Sequence, residues 1–421
     1  VVESLGMVYK CHYPNFHHKT ARNVKLSPLH HKLVEKGAYF KPVSGFEGAD
    51  WYDEECSTTN PPTIEKLTWN RESWFDHWED EHIACRDEVA LIDMSFMSKF
   101  IMQGEEAGEV LNYLSTANVN KCENTISYTQ WLNDEGKLEA DLTVSKLDNG
   151  TYFVVATDTM KGHVLQWMRR HTRGRHAFVT DVTGAYAQIN IQGPKSRELL
   201  QRLTSVDMSN DSFPFRTIRE IDIGYARVLC ARITYVGELG YELFIPTEQA
   251  IHVYERIVNI GDDFDLKHVG LKALNSLRLE KGYRDYGHDI DNTDDILSAG
   301  LSFTCDFEKE NGFIGRAAVL ENKKNPLCSR LVQVLVKDPN PMIFHGEVLK
   351  RNGVPVGDIR SGSYGHSLGG AVGLAMVHSP DPINLSYLKQ GEWSIDIAGV
   401  EFPLQVSLKP LYDPKNLKIK S

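Results

Sequence analysis

The stretch from Arg232 to Leu243, RITYVGELGYEL, joins an alternating run to a tight Gly-Glu-Leu-Gly turn and then re-enters a strand. Glu238 rides the bend and Glu242 sits just inside the returning strand. A carboxylate on a strand has a rigid aim. Its two acceptor oxygens suit paired N–H donors on a flat heterocycle such as the aminopyrimidinone of a pterin, because a bidentate fork sets orientation as well as energy. Taken alone, the turn is better read as a β-hairpin with two solvent-facing glutamates, so a second feature has to decide.

That feature lies upstream, in Tyr128 to Leu147, YTQWLNDEGKLEADLTVSKL. Asn133-Asp134-Glu135-Gly136 makes a turn. The strand after it alternates Leu138, Ala140, Leu142 and Val144 on one face with Glu139, Asp141, Thr143 and Ser145 on the other. Asp141 is therefore mid-strand on a polar face, which by itself means contact with water.

Together the two segments resemble the aminomethyltransferase family, the T-protein of glycine cleavage and its relatives. The resemblance runs from about 74 to about 410 and includes CRDEVALIDMSFMSKF (85–100), INIQGPKSRELL (189–200), SLRLEKGYRDYGHDID (276–291), FIGRAAV (313–319) and GDIRSGSYGHSLGGAVGLAMV (357–377). Other pieces, DMSNDSFPF (207–215), REIDIGYARV (219–228), AGLSFTCDF (299–307) and RLVQVLVKDPNP (330–341), are more similar to the C-terminal half of sarcosine and dimethylglycine dehydrogenases. The first sixty residues resemble the stretch that joins the flavin part of those enzymes to their folate part, sarcosine dehydrogenase more closely. The start at Val1 without a methionine reads as that of a truncated or incompletely recorded polypeptide.

The resemblance implies that Asp141 is the catalytic carboxylate, that Glu242 is the pterin ligand, and that Tyr128 and Tyr235 wall the folate, with Glu238 shaping the turn. Thr157 stands near a T-protein asparagine, and a hydroxyl replaces only part of an amide's hydrogen bonding. Ala273, Leu274 and Asn275 stand where T-proteins read Ala-Arg-Asp, which argues against aminomethyl transfer from a lipoyl carrier. The implied function is that of the folate half of an FAD-dependent N-methylglycine dehydrogenase, acting on sarcosine before dimethylglycine. Tetrahydrofolate would capture the iminium carbon as 5,10-methylenetetrahydrofolate, with FAD bound in a missing N-terminal half. The alternatives are a T-protein aminomethyltransferase and the non-enzymatic regulatory subunit of pyruvate dehydrogenase phosphatase.

Composition bounds this reading. The 421 residues, 41% apolar and 24% charged, suit two or three globular domains. No apolar run approaches the ~18 residues that span a bilayer. A net charge of −11 disfavours a nucleic-acid partner, since phosphate binding needs a basic face. Seven cysteines without a CxxC suggest reduced thiols, in the mitochondrial matrix or, for a bacterial protein, the cytoplasm. No HExxH or Cys/His cluster has zinc spacing, and no GxGxxG follows a strand. GHSLGG (365–370) is not a GxSxG nucleophile elbow. The pairs His17-His18 and His30-His31 read as surface pairs.

The expected fold class is α+β: an aminomethyltransferase-like folate-binding fold with a C-terminal β-barrel. Its expected parts are 1–60 as the tail of the flavin region and linker, 71–325 as the folate-binding domain and 329–415 as the barrel. Residues 53–70 read as polar, proline-bearing linker. Trp74, Trp78, Cys85 and Val89 form a core stripe at helical spacing. Helices are expected at 105–116, 159–171, 194–204, 248–260 and 267–283, and strands at 186–192 and 221–246. Barrel turns are expected at Arg351-Asn352-Gly353 and Ser361-Gly362.

Overall fold

The computed structural model describes residues 2–56, 58–64, 66–147 and 150–421. Ser57 and Glu65 of the expected linker lie outside them, and the described residues between 53 and 74 contribute no helix or strand.

Among the described residues, two large sheets, a two-stranded hairpin and a closed barrel carry the strands. In the first sheet the strands Thr125–Leu132, Leu138–Lys146, Tyr152–Ala156, Ser98–Gln103 and Phe178–Asp181 lie side by side in that order, all antiparallel. Period-2 alternation puts Ala140, Leu142 and Val144 into a core with Tyr152, Val154 and Ala156, while Leu138, at the start of the strand, packs with Leu132, Tyr286 and Val319. The apolar stripes of helices Ala107–Leu114 and Lys161–His171 close that core.

In the second sheet the order is Ile218–Ile223, Ala226–Ala231, Gly240–Pro246, Tyr186–Gln192, Val89–Asp93 and Leu266–His268. Ala187, Ile189, Ile191, Tyr241, Leu243 and Ile245 face a core shared with Val253, Tyr254 and Ile257 of helix Ala250–Gly261. The helix expected over 267–283 forms only as Leu271–Glu280. The residues before it make the short strand Leu266–His268, which pairs in parallel with Val89–Asp93, so a long-range ladder overrides local helical spacing.

The two sheets pack on each other. Ile126, Phe153 and Val155 of the first meet Ile218, Ala231 and Phe244 of the second, with the Phe153 and Phe244 rings 4.9 Å apart. By register, Tyr128, Gln130 and Asp141 share the face of Ile126 and Val155, and Glu242 shares the face of Ala231 and Phe244. The two carboxylates singled out in the sequence therefore project from facing surfaces.

The barrel closes in the order Ser329–Val336, Gly370–His378, Val354–Gly365, Val348–Arg351, Trp393–Ile397 and Val400–Ser407. Its hairpin at Arg351-Asn352-Gly353 lies where expected, with Asn352 and Gly353 at positive φ. The turn expected at Ser361-Gly362 is absent. Both residues lie inside the strand Val354–Gly365, past a register shift between Ile359 and Ser361, and the chain turns instead at 366–369. Gly362 serves a close approach: a Cβ there would come within 2.6 Å of the Ile343 main chain.

Residues 38–52 are part of this packing. The hairpin Ala38–Val43 with Phe46–Tyr52 lays Trp51 near Trp74, ring centroids 6.3 Å apart, and buries Asp50 between Lys41 at 2.7 Å and Lys272 at 3.7 Å. Glu81, inside helix Phe75–Asp87, accepts from the Tyr52 and Gly270 main-chain N–H groups, both at 2.7 Å. Trp74, Trp78, Cys85 and Val89 are all buried, as their spacing predicts. The histidine pairs divide: His18 and His31 are exposed, but His17 and His30 are half-buried, His30 against Phe40.

Candidate functional site

Gln130 stands directly opposite Asp141 in the antiparallel register, and Tyr128 is its diagonal neighbour. The Gln130 Nε2 donates to Asp141 Oδ1 at 2.8 Å, and the Tyr128 hydroxyl donates to Oδ2 at 3.0 Å. Burial pushes the Asp141 carboxyl up to about 6, against these two donors, while the charge of Asp285 adds to the rise and that of Arg284 opposes it. Asp141 is thus half-buried and held between two donors rather than freely solvated.

Tyr235, from the Arg232–Leu243 stretch, donates its hydroxyl to the Arg284 carbonyl at 2.7 Å and stacks on Tyr283, with centroids 6.0 Å apart. Burial raises its phenol, and the charges of Asp285 and Asp141 add to that, so Tyr128, Asp141 and Tyr235 form one electrostatic group. Phe303, largely exposed, stands 6.4 Å from the Tyr128 ring.

Glu242 pairs in register with Asn190 and is half-buried. Burial pushes its carboxyl up to about 7, opposed by the charge of Lys99. Lys99 is fully buried; burial lowers its pKa, and its Nζ donates to the Ser95 and Met97 carbonyls at 3.0 and 2.8 Å. Among the described residues, the donor that reaches Glu242 is Gln188 Nε2, at a long 3.4 Å. Beside it the side-chain oxygens of Gln188 and Gln192 are buried without a partner. Buried acceptors without donors cost free energy, so this face suits a ligand rich in N–H groups.

Glu238 is buried rather than solvent-facing. Arg86 Nη1 donates to it at 3.0 Å and the Tyr412 hydroxyl at 2.5 Å, which ties the turn before Glu242 to helix Phe75–Asp87 and the C-terminal tail. Ser367, in the GHSLGG segment, sits in the barrel turn and receives Arg86 Nε at 3.2 Å. Among the described residues no three His, Cys, Asp or Glu side chains are grouped to hold a metal ion, and no helix is long and apolar enough to cross a membrane.

Residues 29–309 match the GCVT N-terminal domain, and residues 330–413 match the glycine cleavage T-protein C-terminal barrel domain. The chain belongs to the GCVT family. It is 39% identical over 418 residues to the 4-methylaminobutanoate oxidase (formaldehyde-forming) of Paenarthrobacter nicotinovorans, an alignment covering 99% of this chain and 50% of that protein. It is 30% identical over 457 residues to the mitochondrial sarcosine dehydrogenase of Mus musculus, covering 99% of this chain and 49% of that protein. The chain thus spans about half the length of these curated relatives. The glycine cleavage system aminomethyltransferase T of Bartonella henselae has the same fold, with a TM-score of 0.77 at 22% identity over 93% of this chain and 99% of that one.

On this GCVT scaffold Thr157 commits its carbonyl to Ser98 Oγ at 3.2 Å, and its hydroxyl lies 3.4 Å from Asp158. Ala273 and Leu274 are buried in the helix core, and Asn275 accepts from Arg278 Nε at 2.9 Å, so none of the three presents a charge. Sequence reasoning missed Gln130, Lys99 and the amide stripe Gln188, Asn190 and Gln192. The stripe had a signal, since amides at every second position of an otherwise apolar strand define one polar face. Gln130 had a weaker one, two residues after Tyr128 and so on the same face. Arg284 lies in a loop and Phe303 in a three-residue 3-10 turn, where no periodicity marks them.

Proposed function

We propose that this chain is the folate-binding half of a flavin-dependent N-methyl amine dehydrogenase, in which tetrahydrofolate takes up the one-carbon unit as 5,10-methylenetetrahydrofolate. The observation that carries this reading is the acceptor-rich face around Glu242, where a half-buried carboxylate and two unpartnered amide oxygens match the N–H edge of an aminopyrimidinone. In this reading Tyr128 and Tyr235 wall the ligand. Asp141, with both oxygens held by donors, keeps a fixed aim and accepts a proton. FAD, bound outside this chain, supplies the two-electron oxidation of the amine. Sarcosine is the amine this reading prefers, and the 39% identical oxidase favours a second reading with a longer-chain N-methyl amino acid. Turnover of sarcosine, dimethylglycine and 4-methylaminobutanoate by the full polypeptide separates the two. The location that goes with the reading is the mitochondrial matrix, or the cytoplasm in a bacterium.

The chain is expected to bind tetrahydrofolate and to purify without flavin absorbance; a yellow protein with a flavin spectrum overturns this. Glu242→Gln keeps the size of the side chain but replaces one acceptor with a donor, and weakens tetrahydrofolate binding by about 1–3 kcal/mol. Because the ionised carboxylate is the form that accepts two N–H groups, wild-type affinity should fall as pH drops below the Glu242 value of about 7. The fall approaches tenfold per pH unit, and the Gln variant loses this dependence. Calorimetric titration showing equal affinities and equal pH profiles would place Glu242 outside the ligand site.

A further inference from the structure

The Gln130 side chain is fully buried and has two different ends. Its Nε2 donates to Asp141, and its Oε1 accepts the Thr304 hydroxyl at 2.5 Å. Thr304 closes the short 3-10 turn Ser302–Thr304, and its Oγ1 also lies 2.8 Å from the Leu301 carbonyl and 3.3 Å from the Thr116 hydroxyl. Thr116 Oγ1 in turn accepts the Gln130 main-chain N–H at 3.3 Å. An ionised carboxylate can only accept, so the Gln130 NH2 faces Asp141 and its oxygen is left to the Thr304 hydroxyl, which holds the far end of the amide.

We propose that Gln130, anchored by Thr304, is a positioning residue that holds the Asp141 carboxyl in its ionised form and in one orientation. This rests on the reading of Asp141 as the proton acceptor. A donor to a carboxylate favours the charged form, whereas burial favours the neutral one. With Gln130 in place Asp141 is held at about 6, so most of it is ionised at neutral pH. The other groups bearing on this carboxyl are Tyr128 on the same strand as Gln130, Arg284, Asp285 and Tyr286 from the loop after helix Leu271–Glu280, and Tyr235 from the turn before Glu242. Of these, Arg284 alone is cationic, and its Nε and Nη1 are engaged by the Ala299 and Gly282 carbonyls. No other side-chain amide is hydrogen-bonded to Asp141 among the described residues. The turn that anchors Gln130 also carries Phe303, whose ring lies 6.4 Å from that of Tyr128.

The test is the titration of Asp141 in the folded chain, followed by carbon NMR of labelled aspartate carboxyls and assigned with Asp141→Asn. Gln130→Met, of similar volume and without hydrogen-bonding groups, is expected to raise the Asp141 pKa by about one unit, a tenfold gain in proton affinity. Thr304→Val, which frees the amide without opening the core, should shift it in the same direction by less. In the full polypeptide the acid limb of the capture rate should move up by the same amount, with flavin reduction unchanged. If Gln130→Met fails to fold, the Thr304→Val titration decides. An unshifted Asp141 in the folded variants overturns the positioning role. A normal capture rate in Asp141→Asn overturns instead the reading on which it rests, so the two failures are distinct.

Discussion

Asp141→Asn is expected to abolish one-carbon capture while leaving tetrahydrofolate binding intact. The substitution keeps the shape of the side chain and one acceptor oxygen, so Tyr128 or Gln130 retains a partner. It removes the group that accepts a proton, and general acid–base contributions are typically about 10²–10⁴-fold. On an open strand the same change would alter stability by only about 0.5 kcal/mol and touch no activity. The grouping of Tyr128, Gln130, Arg284 and Asp285 around the Asp141 carboxyl is what separates these outcomes. In the full polypeptide with its flavin part, amine oxidation and methylenetetrahydrofolate formation are followed separately. Flavin reduction should persist and formaldehyde should replace the folate product. Normal folate product from the Asn variant refutes the role given to Asp141.

The second large effect is on stability. Arg86 is buried and its guanidinium joins two elements, the turn before Glu242 and helix Leu271–Glu280: Nη1 reaches Glu238 at 3.0 Å and the Val236 carbonyl at 2.7 Å, and Nη2 reaches Glu280 at 2.8 Å. Its plane lies 3.8 Å from the Tyr412 ring centroid. Arg86→Met leaves Glu238 and Glu280 buried with their cation gone, which costs about 3–5 kcal/mol. The pH dependence has a definite sign. Burial pushes Glu280 up, but its bond with His82 and the charge of Arg86 outweigh burial and hold it down to about 2. A depressed carboxyl contributes stability above its unfolded value of 4.5 that is lost as pH falls through its folded value. Losing the cation raises the folded-state values of both buried glutamates and leaves the unfolded state unchanged, so the deficit of the Met variant should be largest at neutral pH and shrink as pH falls towards about 2. Urea denaturation at several pH values measures it. A deficit under about 1 kcal/mol at pH 7 would show that solvent or other cations already satisfy the two glutamates. Because the turn held by Arg86 leads into Glu242, the variant should also lose tetrahydrofolate affinity where it remains folded.

Periodicity alone placed Leu138–Lys146 as a strand with Asp141 on its polar side, Glu242 just inside a strand after a glycine turn, and a terminal run of strands that closes into a barrel. These are local facts, because alternation of side chains is a property of the backbone itself. The sequence likewise marked Trp74, Trp78 and Cys85 as core. Only the tertiary structure decided what the polar faces meet. The face of Asp141 looks across to the face of Glu242 because Phe153 and Phe244 pack the two sheets together, and their contact joins strands far apart in the chain. Whether Asp141 is wet or held between Gln130 and Tyr128 depends on strand register, and the anchoring of Gln130 depends on a loop that reaches it through Thr304. The same holds for Leu266–His268, whose helical spacing yields to a parallel partner, and for Gly362, which pairs with Gly373 inside a strand and is a glycine because Ile343 leaves no room for a Cβ. Spacing reports which side of an element a residue occupies; burial, and with it the raised carboxyls at Asp141 and Glu242, comes from partners that spacing does not name.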